Sequence, residues 1–256
     1  MRMMARILFV LTASLMLWGC AGTVDTANLG AEDRFKYAME LFNDETWDQA
    51  INEFQAITLQ FPGNEVVDDA QYYLGLCRVN RKEYLLAANE FSQLIRNYTT
   101  SKLVPDAQYQ LAECYYELSP AFSLDQRYTK KAIEEFQAFV DLFPADEKVP
   151  DVEKKIRELN EKLAQKEFNS AVIYERLEFY TASLNYYGSV MELYHDTPYA
   201  SKASYNKIKI LIQKSRIPEA ETEIANFLAK YPESENYKEI SELSVQIKNG
   251  QLISGK

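Results

Sequence analysis

The chain has 256 residues, of which 28 are basic and 38 acidic, so its formal net charge at pH 7 is −10. A chain this acidic is a poor candidate for binding nucleic acid, because neutralising phosphates requires clustered lysine and arginine. The same charge disfavours electrostatic docking on anionic lipid, so any attachment to a membrane should be covalent.

The first predicted element is a secretion signal. Arg2 and Arg6 flank the start of an apolar stretch over 7–18, which is shorter than the ~20 residues that a helix needs to cross a bilayer. The stretch ends in the sequence LWGC, which is similar to the lipobox of bacterial lipoproteins. In those proteins the signal is cut off before the cysteine, which then carries acyl chains such as palmitate. The pattern predicts a signal peptide over 1–19 and lipidation of Cys20; an ordinary signal peptide that contains a cysteine is the alternative.

A short tether is predicted over 20–30. Its residues are mostly small and polar and show no helical or strand period, which is typical of a flexible linker. Ala21 follows the cysteine, where an aspartate would favour retention in the inner membrane of enterobacteria, so the outer membrane is the expected destination. Several acyl chains, at ~0.8 kcal/mol per buried methylene, would hold the folded body to that membrane.

Five segments of the body share a helical signature: a small alanine, an aromatic or aliphatic residue four positions later, and an aromatic about eleven positions later. A small and a large residue on one helix face allow two helices to pack closely. Each segment follows another amphipathic helix, so each is predicted to be a helix–turn–helix unit similar to the tetratricopeptide repeat. The five segments begin at Ala50, Ala87, Ala132, Ala182 (with Tyr186 as its large residue) and Ala220.

The prolines support an all-α fold. All eight either follow or begin a helical pattern, and no stretch alternates between apolar and polar residues as a strand does. We predict an all-α solenoid of about five tetratricopeptide-like repeats. Repeats one to three should occupy 31–148, and 149–256 should hold a long connecting helix, repeats four and five, and a C-terminal capping helix.

The long helix predicted from Pro150 to Tyr174 has two interpretations. Its mixture of charges could mark a coiled-coil partner, or it could be a connecting helix with a solvated charged side. The second is favoured, because apolar heptad positions continue for barely three heptads.

Cys77 and Cys114 could in principle form a disulfide in an oxidising periplasm. Both lie in apolar helical patterns, at equivalent places in the first helices of adjacent repeats. Neighbouring helix axes are about 8–10 Å apart, whereas a disulfide needs Cα atoms within ~7 Å. We therefore predict two buried, reduced thiols.

No pattern for catalysis or metal binding occurs in the sequence. The chain has one histidine, His195, whereas metal sites generally need several histidines or cysteines at defined spacings. Motifs for a serine nucleophile, a phosphate-binding loop or a zinc protease are also missing. We expect a protein that is not an enzyme and that has no catalytic residue, metal ligand or cofactor.

The lipobox, tether and repeats together resemble the BamD family, the helical lipoproteins of the bacterial β-barrel assembly machinery. The resemblance is most specific over 167–200, and departs from the family pattern at the insertion 119–130 and at His195, which stands where the repeat proline is usual. The residues that match in register are Glu167, Ala171, Tyr174, Ala182, Asp196 and Thr197.

The resemblance implies a lipid-anchored scaffold of the outer membrane that faces the periplasm. It also implies that the protein binds the barrel-forming subunit, other assembly lipoproteins and nascent outer-membrane proteins, and promotes the folding and insertion of the latter. Another periplasmic repeat lipoprotein, one that scaffolds secretin, pilus or cell-envelope assembly, is the alternative. An enzyme without a recognisable motif is a weaker one.

A peptide-binding groove is expected along the first helices of the repeats. One position carries an aromatic residue in three successive repeats, spaced by 37 residues, and tyrosine offers a large contact area together with a polar group. Such a row suits an extended segment with aromatic side chains. The alternative is that the rings simply pack between repeats. The residues predicted to bind peptide are Phe35, Phe42, Tyr72, Asn80, Tyr109 and Tyr116.

Overall fold

The computed structural model describes residues 26–249, and within this range the chain forms eleven α-helices with no strand between them. The predicted signal peptide and Cys20 lie outside the described residues, as do residues 250–256. In chain order the helices are α1 Ala31–Asn43, α2 Trp47–Gln60, α3 Val67–Asn80, α4 Tyr84–Asn97, α5 Val104–Leu118, α6 Arg127–Leu142, α7 Val149–Arg176, α8 Tyr180–Leu193, α9 Pro198–Gln213, α10 Ile217–Lys230 and α11 Tyr237–Lys248.

The helices form an array in which each one packs mainly on its neighbours in the chain. The buried residues accordingly form a series of clusters along the array. Contact between adjacent repeats only is the organisation of a solenoid. The prediction of an all-α solenoid of tetratricopeptide-like repeats is confirmed. Among the helices described, none is long and apolar enough to cross a membrane.

Four of the five helix pairs are joined by the same tight turn. In each turn the backbone N–H of one residue with positive φ donates to a carbonyl of the preceding helix, which ends that helix in the way glycine usually does. The pair α5–α6 is joined instead by residues 119–126, the part of the predicted insertion 119–130 that precedes α6. The residues with positive φ are Glu45 at 57°, Lys82 at 59°, Glu178 at 62° and Ser215 at 57°.

The small and large residues of the repeat signature lie in the core. On α3, Gly75 shows how closely the helices approach: a Cβ added there would lie 2.6 Å from the ring of Phe91 on α4. Only glycine permits this approach without movement of the ring. The signature residues of repeats one, two, three and five are all buried: Ala50 with Phe54, Ala87 with Phe91, Ala132 with Phe136, and Ala220 with Ile224.

In repeat four the predicted register is wrong by one residue. Ser183 and Tyr187 are fully buried, whereas Ala182 and Tyr186 are partly exposed. The turn confirms the shift, because Glu178 precedes Ser183 by the same five positions that separate Glu45 from Ala50. Serine is nearly as small as alanine, so it permits the same close packing. Tyr187 can replace a buried phenylalanine because its hydroxyl donates to Glu175 Oε2 at 2.7 Å and accepts from Asn206 Nδ2 at 2.9 Å.

The long helix α7 packs on both sides of the repeat boundary. Its first half contributes Val152 and Leu159 to the cluster formed by α5 and α6. Its second half contributes Ala171 to the cluster formed by α8 and α9. The apolar side of the helix is therefore used within the chain, which supports the connecting-helix interpretation over the coiled-coil one.

Cys77 and Cys114 are buried thiols that form no disulfide, as predicted. Burial raises the pKa of each thiol to about 12, because a thiolate would lose its hydration. Neither group is a reactive nucleophile at neutral pH.

Candidate functional site

The three aromatic residues predicted to line the groove lie at one position of α1, α3 and α5, and all three are partly exposed. Each ring packs against a buried aromatic ring of the next helix. The ring centroids are 5.8 Å apart for Phe35 and Phe54, and 5.6 Å apart for Tyr72 and Phe91. Tyr109 lies 5.8 Å from the Phe139 ring. Part of each ring therefore belongs to the repeat interior and part remains available at the surface.

The corrected register of repeat four adds two members to this row. Phe168 on α7 precedes Ser183 by 15 residues and Tyr205 on α9 precedes Ala220 by 15, as Phe35 precedes Ala50. Both rings are partly exposed. Neither residue was predicted, because repeat four was aligned on the wrong residue, although their separation of 37 residues repeats that of the earlier members. We call these five residues the aromatic row: Phe35, Tyr72, Tyr109, Phe168 and Tyr205.

Four aromatic residues gather around Tyr73, which was not predicted as a site residue. Its ring centroid lies 6.1 Å from that of Phe35, 5.2 Å from Phe42 and 5.9 Å from Tyr72. The ring also stacks on Phe54 at 5.9 Å. Three of the predicted residues, Phe35, Phe42 and Tyr72, are thus brought together at the N-terminal end of the array.

A lysine packs on the rings of repeat three in the way that Tyr73 packs on the rings of repeat one. Lys155 of α7 lies with Nζ 5.4 Å from the ring centroid of Tyr109, 5.5 Å from Tyr116 and 5.8 Å from Phe136. Its ammonium donates to Glu113 Oε1 at 2.5 Å and to the Tyr109 hydroxyl at 3.2 Å. Tyr109 and Tyr116 are therefore brought together under α7, apart from the N-terminal group of rings.

The local electrostatics keep these hydroxyls neutral and the lysine charged. Burial raises the pKa of Tyr72 to about 12, and Asp106 adds to the effect. Burial likewise raises the pKa of Tyr109, although its hydrogen bond with Lys155 opposes the change. For Lys155 burial favours the neutral amine, but the hydrogen bonds to Glu113 and Tyr109 outweigh it and the pKa is raised.

Asn80, the remaining predicted residue, is exposed at the end of α3. Its Nδ2 donates to the Leu76 carbonyl at 3.0 Å, so that donor already has a partner within its own helix. The side-chain oxygen is left as the group that a ligand amide could meet.

A recurring hydrogen bond fixes the rotation of the first helices. In four repeats the residue just before the member of the aromatic row donates to a glutamate of the second helix, next to its large signature residue. These pairs were not predicted, although a glutamate stands at that place in four of the five repeats. The pairs are Arg34–Glu53 at 2.6 Å, Gln71–Glu90 at 2.8 Å, Gln108–Glu135 at 2.8 Å and Ser204–Glu223 at 2.7 Å.

A second surface feature lies at the turn between α7 and α8. Leu177 and Phe179 are 57% and 60% exposed there, and Ile173 is exposed beside them. Of these three residues, Phe179 lines a cleft of about 810 Å³ whose lining also includes Tyr180 and Lys214. We call Ile173, Leu177 and Phe179 the repeat-four edge. Clustered exposed apolar side chains of this kind mark sites of protein–protein contact.

Across residues 26–249 no group of three or more histidine, cysteine, aspartate or glutamate side chains could hold a metal ion. His195 is exposed in the connection between α8 and α9. What the described surface offers is contact area along the aromatic row and at the repeat-four edge, which suits a binding protein.

The fold and this surface define a helical-repeat protein of the tetratricopeptide type. The family model YfiO, described as outer membrane lipoprotein, matches residues 28–211. The match covers well over half of the chain, so the chain belongs to this family of outer-membrane lipoproteins, and the resemblance noted in the sequence is confirmed.

Among solved structures, the chain is similar to a tetratricopeptide-repeat protein of Bacteroides fragilis NCTC 9343, with 14% identity, 86% of this chain and 99% of that chain covered, and a TM-score of 0.49. It is also similar to a tetratricopeptide repeat protein of Parabacteroides merdae ATCC 43184, with 13% identity, coverage of 88% and 76%, and a TM-score of 0.38. For MamA of Desulfovibrio magneticus RS-1 the identity is 18%, the coverage 65% and 77%, and the TM-score 0.37. The comparison with curated proteins gave no match.

Proposed function

We propose that this lipoprotein is a scaffold of the β-barrel assembly machinery, held to the outer membrane by acyl chains on Cys20 and facing the periplasm. It binds the barrel-forming subunit and other assembly lipoproteins, and it engages nascent outer-membrane proteins to promote their folding and insertion. The observation that carries the proposal is the family match over 28–211. The protein acts by binding, without a cofactor.

Nascent outer-membrane proteins bind at the N-terminal end of the aromatic row. Phe35, Phe42 and Tyr72, gathered around Tyr73, form a partly exposed aromatic surface there. An extended segment with aromatic side chains can stack on such rings in edge or offset geometry. Asn80 supplies a polar contact for the backbone of the segment. Tyr109 and Tyr116 extend this surface toward α7.

The barrel-forming subunit binds at the repeat-four edge. Leu177 and Phe179 expose apolar surface there. Phe179 lines a cleft of about 810 Å³ whose lining also includes Lys214 and Arg216. Apolar side chains around a concave surface, with charged groups at the rim, are the usual composition of a stable protein interface.

Isolation of the full-length chain in mild detergent, followed by identification of the bound proteins, tests this function. The expected result is recovery of a large outer-membrane β-barrel protein. The double variant Leu177→Ser, Phe179→Ser should lose that partner. The matched control is Leu59→Ser, since Leu59 is 79% exposed but lies on α2, far along the chain from this edge. Recovery of a secretin in place of the barrel protein would contradict the proposal and favour a scaffold for secretin or pilus assembly.

A further inference from the structure

A cleft of about 310 Å³ lies between repeats two and three, and Tyr109 of the aromatic row lines it. Val79 in the last turn of α3 and Tyr84 at the start of α4 line it as well. On α5, Glu113 and Glu117 follow Tyr109 by four and eight residues, so the ring and both carboxylates lie along one side of that helix. We call this cleft the repeat-three pocket.

The equivalent place between repeats one and two is filled by aromatic rings. The ring centroid of Phe42 lies 5.2 Å from that of Trp47 and 5.2 Å from that of Tyr73. In the repeat-three pocket, 37 residues later in the chain, Val79 replaces Phe42 and Gln110 replaces Tyr73. Two rings are thus exchanged for smaller or more flexible side chains, which leaves the space open.

The same comparison shows a change of charge. Glu113 and Glu117 stand where Leu76 and Asn80 stand 37 residues earlier. The charged residues that line the repeat-three pocket are these two glutamates, and no lysine or arginine lines it. Residues 31–148, which hold repeats one to three, contain 21 acidic and 11 basic residues, so the surroundings of the pocket are also negative. The pocket therefore differs from its equivalent both in being open and in being acidic.

Glu117 supplies the carboxylate that is available to a ligand. Glu113 is already paired with Lys155 at 2.5 Å, whereas Glu117 is exposed and forms no ion pair within the described part of the chain. Burial raises the pKa of Tyr84, and Glu117, which accepts a hydrogen bond from the Tyr84 hydroxyl, adds to the effect. One hydrogen bond leaves the other lone pairs of the carboxylate free. Arg78 of α3 does not neutralise Glu117, because it is paired with two other glutamates.

We propose that the repeat-three pocket receives a basic side chain, arginine by preference, from an extended segment of a partner protein. The guanidinium group forms an ion pair with Glu117 and lies against the rings of Tyr84 and Tyr109. A planar guanidinium stacks on aromatic rings and can meet a carboxylate with two N–H groups, whereas an ammonium group is a point charge. A metal ion fits the pocket less well, since among the described residues no group of three or more potential ligand side chains could hold one.

The proposal deepens the client binding proposed above and rests on it in one respect. The segment that carries the arginine is expected to run along the aromatic row, of which Tyr109 is a member. In an extended chain, residues two positions apart point to the same side. Aromatic side chains two positions before and after the arginine can therefore face the row while the arginine enters the pocket.

The test is a binding measurement by fluorescence anisotropy on the full-length chain in mild detergent. The probe is a fluorescein-labelled peptide, GSFSRSFSG, and its matched control has glutamine in place of the arginine. We expect the arginine peptide to bind about tenfold more tightly than the glutamine peptide, and the difference to shrink as salt screens the charges.

The equivalent place between repeats one and two supplies the variants. Glu117→Asn should reduce the affinity of the arginine peptide about tenfold, to that of the glutamine peptide, with an unchanged melting temperature because Glu117 is exposed. Val79→Phe should fill the pocket and cause a similar loss; if it lowers the melting temperature, Glu117→Asn decides. The matched control is Glu134→Asn, since Glu134 is an exposed glutamate of α6 that does not line the pocket.

The outcomes separate this proposal from the client site. Equal affinity for the two peptides, with Tyr72→Ala weakening both, would overturn the pocket and leave the client site in place. An arginine preference that requires Glu117 but is unaffected by Tyr72→Ala would support the pocket and contradict the client site at the N-terminal rings. No detectable binding of the arginine peptide, or an equal loss in Glu134→Asn and Glu117→Asn, would also overturn the pocket.

Discussion

Replacing Lys155 with methionine should destabilise the array at the junction of repeat three and α7. Methionine keeps the length and most of the apolar stem but removes the ammonium group. The carboxylate of Glu113 then loses a partner at 2.5 Å, in a pair whose side chains are only 18% and 22% exposed. Loss of a charged hydrogen bond of this kind costs about 1.5–3 kcal/mol, and loss of cation–π contact with Tyr109 and Tyr116 adds about 0.5–1 kcal/mol.

The expected change in the free energy of unfolding is therefore about 2–4 kcal/mol, or a drop in melting temperature of about 5–10 °C for a chain of this size. Thermal unfolding followed by circular dichroism measures it. Lys154→Met is the matched control, because Lys154 is exposed and forms no ion pair within the described residues. Adding Glu113→Gln to Lys155→Met should recover about 1 kcal/mol, since the unpaired buried charge is gone.

The contribution of Lys155 should also depend on pH. Its pKa is raised in the folded protein, so its stabilising effect is fully present below the unfolded value of about 10.4 and is lost as the pH rises toward the folded value. The difference in stability between the parent and Lys155→Met should thus be constant around neutral pH and shrink in strong alkali. If Lys155→Met melts at the same temperature as Lys154→Met at pH 7, the ammonium group does not hold α7 in place.

Three further predictions concern the core, the aromatic row and the lipid. Gly75→Ala should lower the free energy of unfolding by about 1–3 kcal/mol in chemical denaturation, because its Cβ would overlap the Phe91 ring; an unchanged midpoint would mean that α3 and α4 separate freely. Tyr72→Ala should weaken binding of a peptide from the last strand of an outer-membrane protein, and it should cost about 1–2 kcal/mol of stability, less than the ~3–5 kcal/mol of a fully buried aromatic; unchanged affinity would move the client site elsewhere. Mass spectrometry of the mature N-terminus should find acyl mass on Cys20, and an unmodified N-terminus at another residue would contradict lipidation.

Much of the fold could be predicted because the solenoid repeats one local signature. The alanine and the ring four positions later mark the second helix of each repeat, and proline placement marks the ends. Repeat four resisted this reasoning because both Ala182 with Tyr186 and Ser183 with Tyr187 satisfy the signature. The structure resolves the choice, because the hydroxyl of Tyr187 forms hydrogen bonds with Glu175 and Asn206 that allow this ring to be buried.

Only part of the candidate site could be predicted from the sequence. The position of the row in repeats one to three follows from spacing alone, and so could have been extended to Phe168 and Tyr205 once repeat four was aligned. The role of Lys155 could not be predicted, since its partner Glu113 lies 42 residues earlier in the chain and nothing local to α7 marks the contact. Tyr73 was overlooked because it stands beside Tyr72, and periodicity does not say which of two adjacent rings enters the next repeat.

The length of α7 also determines how the repeats that follow it are rotated relative to the repeats that precede it. Lys155 packs on repeat three as Tyr73 packs on repeat one. Since Tyr73 directly follows Tyr72 of the aromatic row, Lys154 occupies the equivalent of that row position. Phe168, a member of the row, follows Lys154 by 14 residues. Fourteen residues are about 3.9 turns and about 21 Å of helix, so both halves of α7 present nearly the same side. Removing one residue between them would rotate the second half by about 100° and carry Phe168 and Tyr205 away from the rest of the aromatic row. The number of residues in this helix therefore fixes the orientation of the later repeats relative to the earlier ones. We expect the array to keep a continuous aromatic row only if residues are added to or removed from α7 in numbers close to whole helical turns.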